Sequence, residues 1–379
     1  MRRLARILTP CSVFLLALLS ASCRPETAEE KVSTVQLEEG RIPWDTLARH
    51  LHITGLIPVV SDSLFLAHCD KAVIRGTEVY LLDAVQQALF RTDTRTGRLR
   101  PLLHAPGRSR AEYLSITDFD VDSSGRLLVY DSDSRKVNRY SPSGRYLGSL
   151  PARPGTALAA APGGQLALHT NRLLQDTLVI AYDSTGTPCA SAPTGGEEPP
   201  LTLEASGSIA AMPGGFVYAA PFDCRLFFLG PEGSRSLVRL DFGARSLSAT
   251  DLPSPGSRVD PTEFLKNTEG KVLYLHNLSA SRGRIFCSTD GADQLMYDSR
   301  TGRTLVLSRA ESPYHILFSA PLATDAAGNF CVLLSDNNVR HGLFPLLEHR
   351  PTGEPALDSA PDRKDSPATL WLLTGQVLP

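Results

Sequence analysis

The sequence predicts an all-β chain: a six-bladed β-propeller of four-stranded antiparallel blades, its ring closed by an N-terminal strand. Three observations carry that reading. A short apolar segment recurs six times, as Val79-Tyr80-Leu81-Leu82, Leu127-Leu128-Val129-Tyr130, Leu166-Ala167-Leu168-His169, Phe216-Val217-Tyr218-Ala219, Ile285-Phe286-Cys287-Ser288 and Phe330-Cys331-Val332-Leu333. A glycine stands just before each copy, at Gly76, Gly125, Gly164, Gly214, Gly283 and Gly328. It supplies the positive φ that a tight hairpin turn needs. A second glycine follows 17 to 23 residues after each segment begins, at Gly97, Gly144, Gly186, Gly233, Gly302 and Gly353.

The second copy shows the whole unit. Residues 116–122 alternate as a strand, Ser123-Ser124-Gly125 turns, and residues 126–131 return. Residues 136–140 make a third strand, Pro142-Ser143-Gly144 turns, and residues 145–150 make a fourth. Four short antiparallel strands of this kind form one blade. Successive segments start 48, 39, 50, 69 and 45 residues apart. Against a usual blade of about 40–50 residues, the long interval hides roughly two dozen extra ones. They fall at 240–271, with Pro253, Pro255 and Pro261, and are expected to emerge as a loop, where recognition commonly resides. An open ring would expose unpaired backbone at its first and last sheets. Residues 56–65, which have no unit of their own, are therefore expected to pair with the final blade near Trp371.

The chain start carries an address. Arg2, Arg3 and Arg6 precede an apolar run, and Ser20-Ala21-Ser22 stand directly before Cys23. This is the layout of a secretory signal. A cysteine after the small residues resembles a bacterial lipobox, in which Cys23 is acylated and becomes the first residue. The expected organisation is a lipoprotein signal peptide at 1–22, a tether with a possible short helix at 23–55, and the propeller at 56–379. Two or more acyl chains anchor stably, so the membrane is a partner through lipid alone. The expected location is the outer membrane, facing the periplasm or the cell surface.

Composition narrows the partners. Lys and Arg number 38 against 40 Asp and Glu, for a net charge of −2, which becomes −5 once the three signal arginines are removed. Nucleic-acid binders normally show a strongly basic face, so none is expected as a partner. Five cysteines remain after Cys11 and Cys23, an odd number without a Cys-x-x-Cys pair. Neither a disulfide framework nor a zinc ribbon follows. Cys287 and Cys331 sit in apolar strand patterns and read as small buried hydrophobes.

The stretch Glu112-Tyr113-Leu114-Ser115-Ile116-Thr117-Asp118-Phe119-Asp120-Val121-Asp122, with Gly125-Arg126-Leu127-Leu128-Val129-Tyr130-Asp131 after it, resembles the six-bladed β-propeller lipoproteins of Bacteroidetes, relatives of the NHL-repeat propellers. The likeness is strongest over 56–150. One departure is Ser109-Arg110-Ala111, where the family often has Gly-Pro-Gly before Glu-Tyr. The resemblance implies a fold and an envelope location, and no reaction. Asp45-Thr46-Leu47, Asp62-Ser63-Leu64, Asp176-Thr177-Leu178 and Asp358-Ser359-Ala360 resemble the O-glycosylation acceptors of such envelopes.

Chemistry is sparse. The sequence has no Gly-x-Ser-x-Gly elbow, Walker loop, His-Glu-x-x-His or EF-hand loop. No catalytic residue and no cofactor is assigned. The alternating aspartates of 118–122 and 131–133 read as satisfying turn amides rather than holding calcium. The leading expectation is a non-enzymatic module for a glycan, a peptide or an envelope protein. Its candidate binding residues are Arg108, Arg110, Glu112, Tyr113, Tyr274 and Tyr314, aromatic faces beside hydrogen-bonding groups near the inner strands. The alternative is a zinc-dependent lyase or hydrolase in which His68, His276 and His315 converge on the channel. A third reading is a structural partner of an outer-membrane uptake complex.

Overall fold

A computed structural model describes residues 31–35, 47–61, 66, 68–104, 106–170, 176–194, 208–253, 259–291, 293–308, 315–349, 352–360, 368 and 370–379. Cys23, the signal segment and Tyr314 lie outside them, as does the first half of the possible helix at 43–50.

Six antiparallel sheets stand around one axis. Their inner strands are Lys71–Arg75, Asp118–Val121, Ala157–Ala160, Ile209–Met212, Leu275–Ser281 and Ala323–Thr324. Each inner strand touches the next, and the last touches the first, so the ring is closed. Blade two matches its reading closely: after Asp118–Val121 come Leu127–Asp131, Lys136–Tyr140 and Tyr146–Pro151. All twelve glycines singled out in the sequence have positive φ. In blades two and six the turn after the inner strand is completed by an aspartate three residues before its glycine. Asp122 Oδ1 accepts from the amides of Ser124 and Arg126 at 2.8 and 3.0 Å, and Asp325 Oδ1 repeats this with Ala327 and Asn329, both at 2.9 Å.

The recurring apolar segments are the second strands of the blades, and they are buried on both faces. Leu127 and Val129 point into a cluster shared with blade one, while Leu128 and Tyr130 point into one shared with blade three. The described residues contain six such clusters, one at each seam between neighbouring blades. A strand packed on both sides reads as a continuous apolar run rather than an alternation. Cys287 and Cys331 belong to two of these clusters, and all five described cysteines are free thiols.

Blade six closes the ring with an N-terminal strand as expected, but that strand begins five residues earlier than 56–65, inside the segment read as a tether, and the blade carries one addition. Its outermost strand, Leu51–Val59, comes from the N-terminal side and pairs with Leu370–Val377, Pro58 standing opposite Trp371. Between its second strand, Asn329–Ser335, and Leu370–Val377 the chain does not make a short turn. It runs through the helical segments Asp336–Asn338, Val339–Leu343, Phe344–His349 and Pro355–Asp358. These bury Trp371, whose indole donates to Asp336 at 2.7 Å and meets the Phe344 ring edge-on at 5.2 Å. Gly353 therefore lies beside a helix rather than in a hairpin.

Two other expectations are corrected. The insertion at 240–271 is not wholly loop: Pro261–Asn267 is a helix, capped by Asp260 accepting from Thr262 and Glu263, with Phe264 buried as its anchor. The segment read as a tether includes a strand, Val32–Thr34, which pairs parallel with Arg239–Asp241 on the outer edge of blade four. Val35 then bridges to Thr304 of blade five, and the Ser33 and Thr304 hydroxyls bond at 2.9 Å. An uncovered sheet edge offers unpaired amides and carbonyls, and an alternating Val-Ser-Thr-Val segment can satisfy them.

Candidate functional site in the central channel

The inner strands enclose a cavity of about 410 Å³ on the ring axis, lined by all six blades. Blades four, five and six give it an apolar wall, including Ile209, Ala211, Met212, Leu278, Ala280 and Leu322. The small side chains leave the axis unfilled. Blades one and two give the opposite wall its charge, through Lys71, Arg75 and Asp120. Ser123, Pro162, Pro213, Arg282 and Ala326 line it from the hairpin turns that follow the inner strands. The cavity thus reaches the turn face of the ring.

The charged wall is a ladder of two rungs across three blades. In the upper rung the Lys71 ammonium donates to both oxygens of Asp118 at 2.9 Å and to the Leu158 carbonyl at 3.2 Å. Asp118 also accepts from the Leu158 amide at 2.6 Å. In the lower rung Arg75 Nη2 donates to Asp120 Oδ1 at 2.9 Å and Arg75 Nε to the Val121 carbonyl at 2.6 Å, while Asp120 Oδ2 takes the Ala160 amide at 2.8 Å. Two residues apart on one strand, the aspartates share a face. Leu158 and Ala160 belong to an inner, hence edge, strand, and the carboxylates satisfy amides that have no neighbouring strand. Burial pushes the Asp118 carboxyl up, and the Lys71 ammonium is the first of the contacts that hold it back. Of the aspartates in 118–122, only Asp122 does what the sequence reading assigned to all three.

On the sixth blade Asp325 Oδ2 accepts from the Gly76 amide at 2.8 Å, tying the turns of blades six and one. Arg282 donates to the Val377 carbonyl at 2.6 Å and to the Ala327 carbonyl at 2.5 Å. The charged groups around the cavity are held in place by the ring itself.

The residues singled out from sequence lie elsewhere. Arg108, Arg110, Glu112 and Tyr113 precede the inner strand of blade two on the loop face, the end of the ring opposite the hairpin turns. Arg108 and Arg110 are exposed. Glu112 accepts from the Ser109 amide at 2.8 Å, and its carbonyl takes Lys136 and Asn138. Tyr113 is buried, its hydroxyl donating to the Gln87 carbonyl at 2.9 Å. These contacts fold the loop without any Gly-Pro-Gly. Tyr274 is half-buried on blade five, its ring tilted against His276 at 5.3 Å. Phe119 is fully buried at the seam of blades one and two. None of these lines the cavity.

The three histidines are not brought together. His68 is largely exposed beside Asp70 at 3.6 Å, His276 donates from Nε2 to the Thr289 carbonyl at 3.1 Å, and His315 opens the short helix His315–Phe318. Burial pushes the His276 imidazole below its ordinary range. Among the described residues no group of three His, Cys, Asp or Glu side chains is placed to hold a metal ion. They fall 11, 9 and 15 residues ahead of the repeated strands at Val79, Ile285 and Phe330.

A family described as a 6-bladed beta-propeller matches residues 50–316, well over half of the chain. The chain belongs to this family. The propeller superposes on a Bacteroides fragilis protein, provisionally described as exported, with a TM-score of 0.67 at 12% identity, covering 92% of this chain and 99% of that one. At that identity the likeness shows the fold alone. A streptogramin B lyase structure aligns at 11% identity over 75% of this chain and 80% of its own, with a TM-score of 0.44, and carries no argument. A search of curated proteins finds no match.

Proposed function

We propose that this propeller is a lipid-anchored, non-enzymatic binding module of the cell envelope, with its ligand seated in the central channel. The observation that carries the reading is the 410 Å³ cavity itself, apolar on one wall and charged on the other. Ligand pockets are typically concave, mostly apolar and furnished with a few fixed polar groups. The ladder groups, Lys71, Arg75, Asp118 and Asp120, are each bound to partners across a seam, which suits recognition more than proton transfer. The ligand class is a short peptide or a glycan whose apolar face lies on Ala211, Ala280 and Leu322 and whose polar groups face Arg75 and Asp120. Envelope location is supported by the signal-like start with Cys23 and by a fold neighbour described as exported. No described helix is long and apolar enough to cross a membrane.

The test is calorimetry of peptide and glycan libraries against the wild-type protein and the channel-narrowing variants Ala211→Phe and Ala280→Phe. Each variant is expected to weaken a hit at least tenfold while melting within a few degrees of the parent. Heat from no library member at millimolar concentration, a hit indifferent to both variants, or turnover of a hit would each overturn the proposal. Mass spectrometry of Cys23 from membranes tests the anchor separately.

A further inference from the structure

A second, smaller pocket of about 210 Å³ lies on the outer part of blade one, away from the channel. Its charged lining is Arg91, Arg95, Arg98 and Arg100 with Glu78 and Asp93. Four arginines against two carboxylates leave the lining with a net charge of +2, in a protein whose total is −2. At about 30 Å³ per water, the space holds roughly seven waters.

Strand register makes the excess charge more telling. Arg91, on the third strand Ala88–Asp93, stands directly opposite Arg100 on the fourth strand Arg100–Leu103. Glu78 stands directly opposite Asp93. Like charges in directly opposed positions destabilise a sheet. The carboxylates are compensated, Glu78 by Arg91 across the strands at 3.2 Å and Asp93 by Arg95 two residues on at 3.2 Å. Arg100 has no carboxylate within ion-pair reach among the described residues, although it faces another guanidinium.

The frame is fixed. Leu99 donates to the Val60 carbonyl at 2.9 Å and Val60 to the Gly97 carbonyl at 3.0 Å, so the chain leaving the ring-closing strand holds the segment that carries Arg98 and Arg100. Arginines in a fixed fork match a planar or tetrahedral oxyanion bidentately and are weakly hydrated for cations.

We infer that this pocket is an oxyanion site, taking a phosphate or sulfate group between Arg91 and Arg100 with Arg98 beside them. The group has two sources in an envelope, a small soluble anion or the substituent of an anionic glycan or lipid headgroup, and both present the same chemistry.

The experiment titrates inorganic pyrophosphate and sodium sulfate into the full propeller at constant ionic strength, following heat and melting temperature. Saturable binding at sub-millimolar to millimolar concentration and a rise in melting temperature are expected. Arg100→Gln removes the opposed charge without breaking either ion pair. It is expected to melt no lower than wild type in anion-free buffer and to lose at least tenfold in pyrophosphate affinity. Ala280→Phe, in the channel, is expected to leave that affinity unchanged, which separates this site from the channel proposal. Flotation with vesicles containing phosphatidylglycerol, or capture by a phosphorylated oligosaccharide, assigns the anchored substituent as the source, whereas saturable binding of the free anions with neither assigns the small soluble anion. Absence of saturable binding, an Arg100→Gln affinity equal to wild type, or a lower anion-free melting temperature in that variant would overturn the inference.

Discussion

Cutting the upper rung of the channel ladder should reveal how much of the ring's stability passes through one ion pair. Asp118 is 5% exposed at its side chain and Lys71 21%, so both are largely removed from water. Asp118→Ala strands the Lys71 ammonium, which keeps only the Leu158 carbonyl, and leaves the Leu158 amide without its acceptor. Breaking one side of a buried pair costs about 3–5 kcal/mol. Lys71→Met strands the carboxylate instead, and its penalty depends on pH. The Asp118 carboxyl already lies above its ordinary value in the folded protein, and loss of the ammonium raises it further. A carboxyl raised on folding takes up protons more readily than in the unfolded chain, so its penalty is absent below the unfolded value. The penalty grows as pH rises toward the folded value, by about 1.4 kcal/mol per unit. Lys71→Met/Asp118→Leu removes both charges and fills the space, which is commonly neutral or stabilising. Guanidinium unfolding of the four proteins at pH 5 and pH 7 is the assay. The expected coupling is at least about 3 kcal/mol, well outside the ~0.5 kcal/mol within which independent sites add. Additive singles, or a Lys71→Met deficit that stays flat with pH, would refute the reasoning.

Two further predictions concern the seams. His169 is buried, its Nε2 donating to the Ala219 carbonyl at 2.9 Å across blades three and four, and burial pushes its imidazole down to about 4 from 6.5. Its stabilisation is complete above the unfolded value and is lost as pH falls toward the folded one. Relative to His169→Gln, which keeps a donor, wild type should lose about 2 kcal/mol between pH 6.5 and pH 5. Parallel unfolding curves for the two would count against it. Gly97 and Gly76 have nearly equal φ, +63° and +62°, but a Cβ on Gly97 would lie 2.0 Å from the Pro58 carbonyl oxygen while one on Gly76 meets nothing within 4 Å. Gly76→Ala should cost about 1 kcal/mol from backbone strain alone. Gly97→Ala should cost at least about twice that, and equal melting temperatures for the two variants would show that the closing strand is not packed on this turn.

Much of the fold was legible because its demands are local and repeated. Each hairpin needs a residue at positive φ, and each second strand is sandwiched between two seams, so Gly125 and Leu127-Leu128-Val129-Tyr130 announce themselves. The inner strands did not, since Ala157–Ala160 and Ile209–Met212 carry small residues that look like nothing in particular. For the same reason the channel wall has no signature in the sequence, whereas the aromatics and histidines ahead of the inner strands do. The ladder was visible only as alternating aspartates, because its partners Lys71 and Leu158 are 47 and 40 positions from Asp118. The helices of blade six were hidden behind Gly353, which kept the glycine of the repeat after the hairpin itself was gone. Val32–Thr34 was missed because its partner edge exists only after blade four has formed.

The pairing of Leu51 with Val377 spans 326 positions. At about 5–20 residues per second of synthesis, the early strand waits roughly 16–65 s for its mate. Through that interval Leu51–Val59 is a solitary β-segment, and blade one has an uncovered flank of Val79, Leu81 and Phe90. A nascent chain of this design keeps both surfaces uncovered until Leu370–Val377 arrives, and truncation near residue 370 is expected to send it to proteases rather than yield a five-bladed remnant.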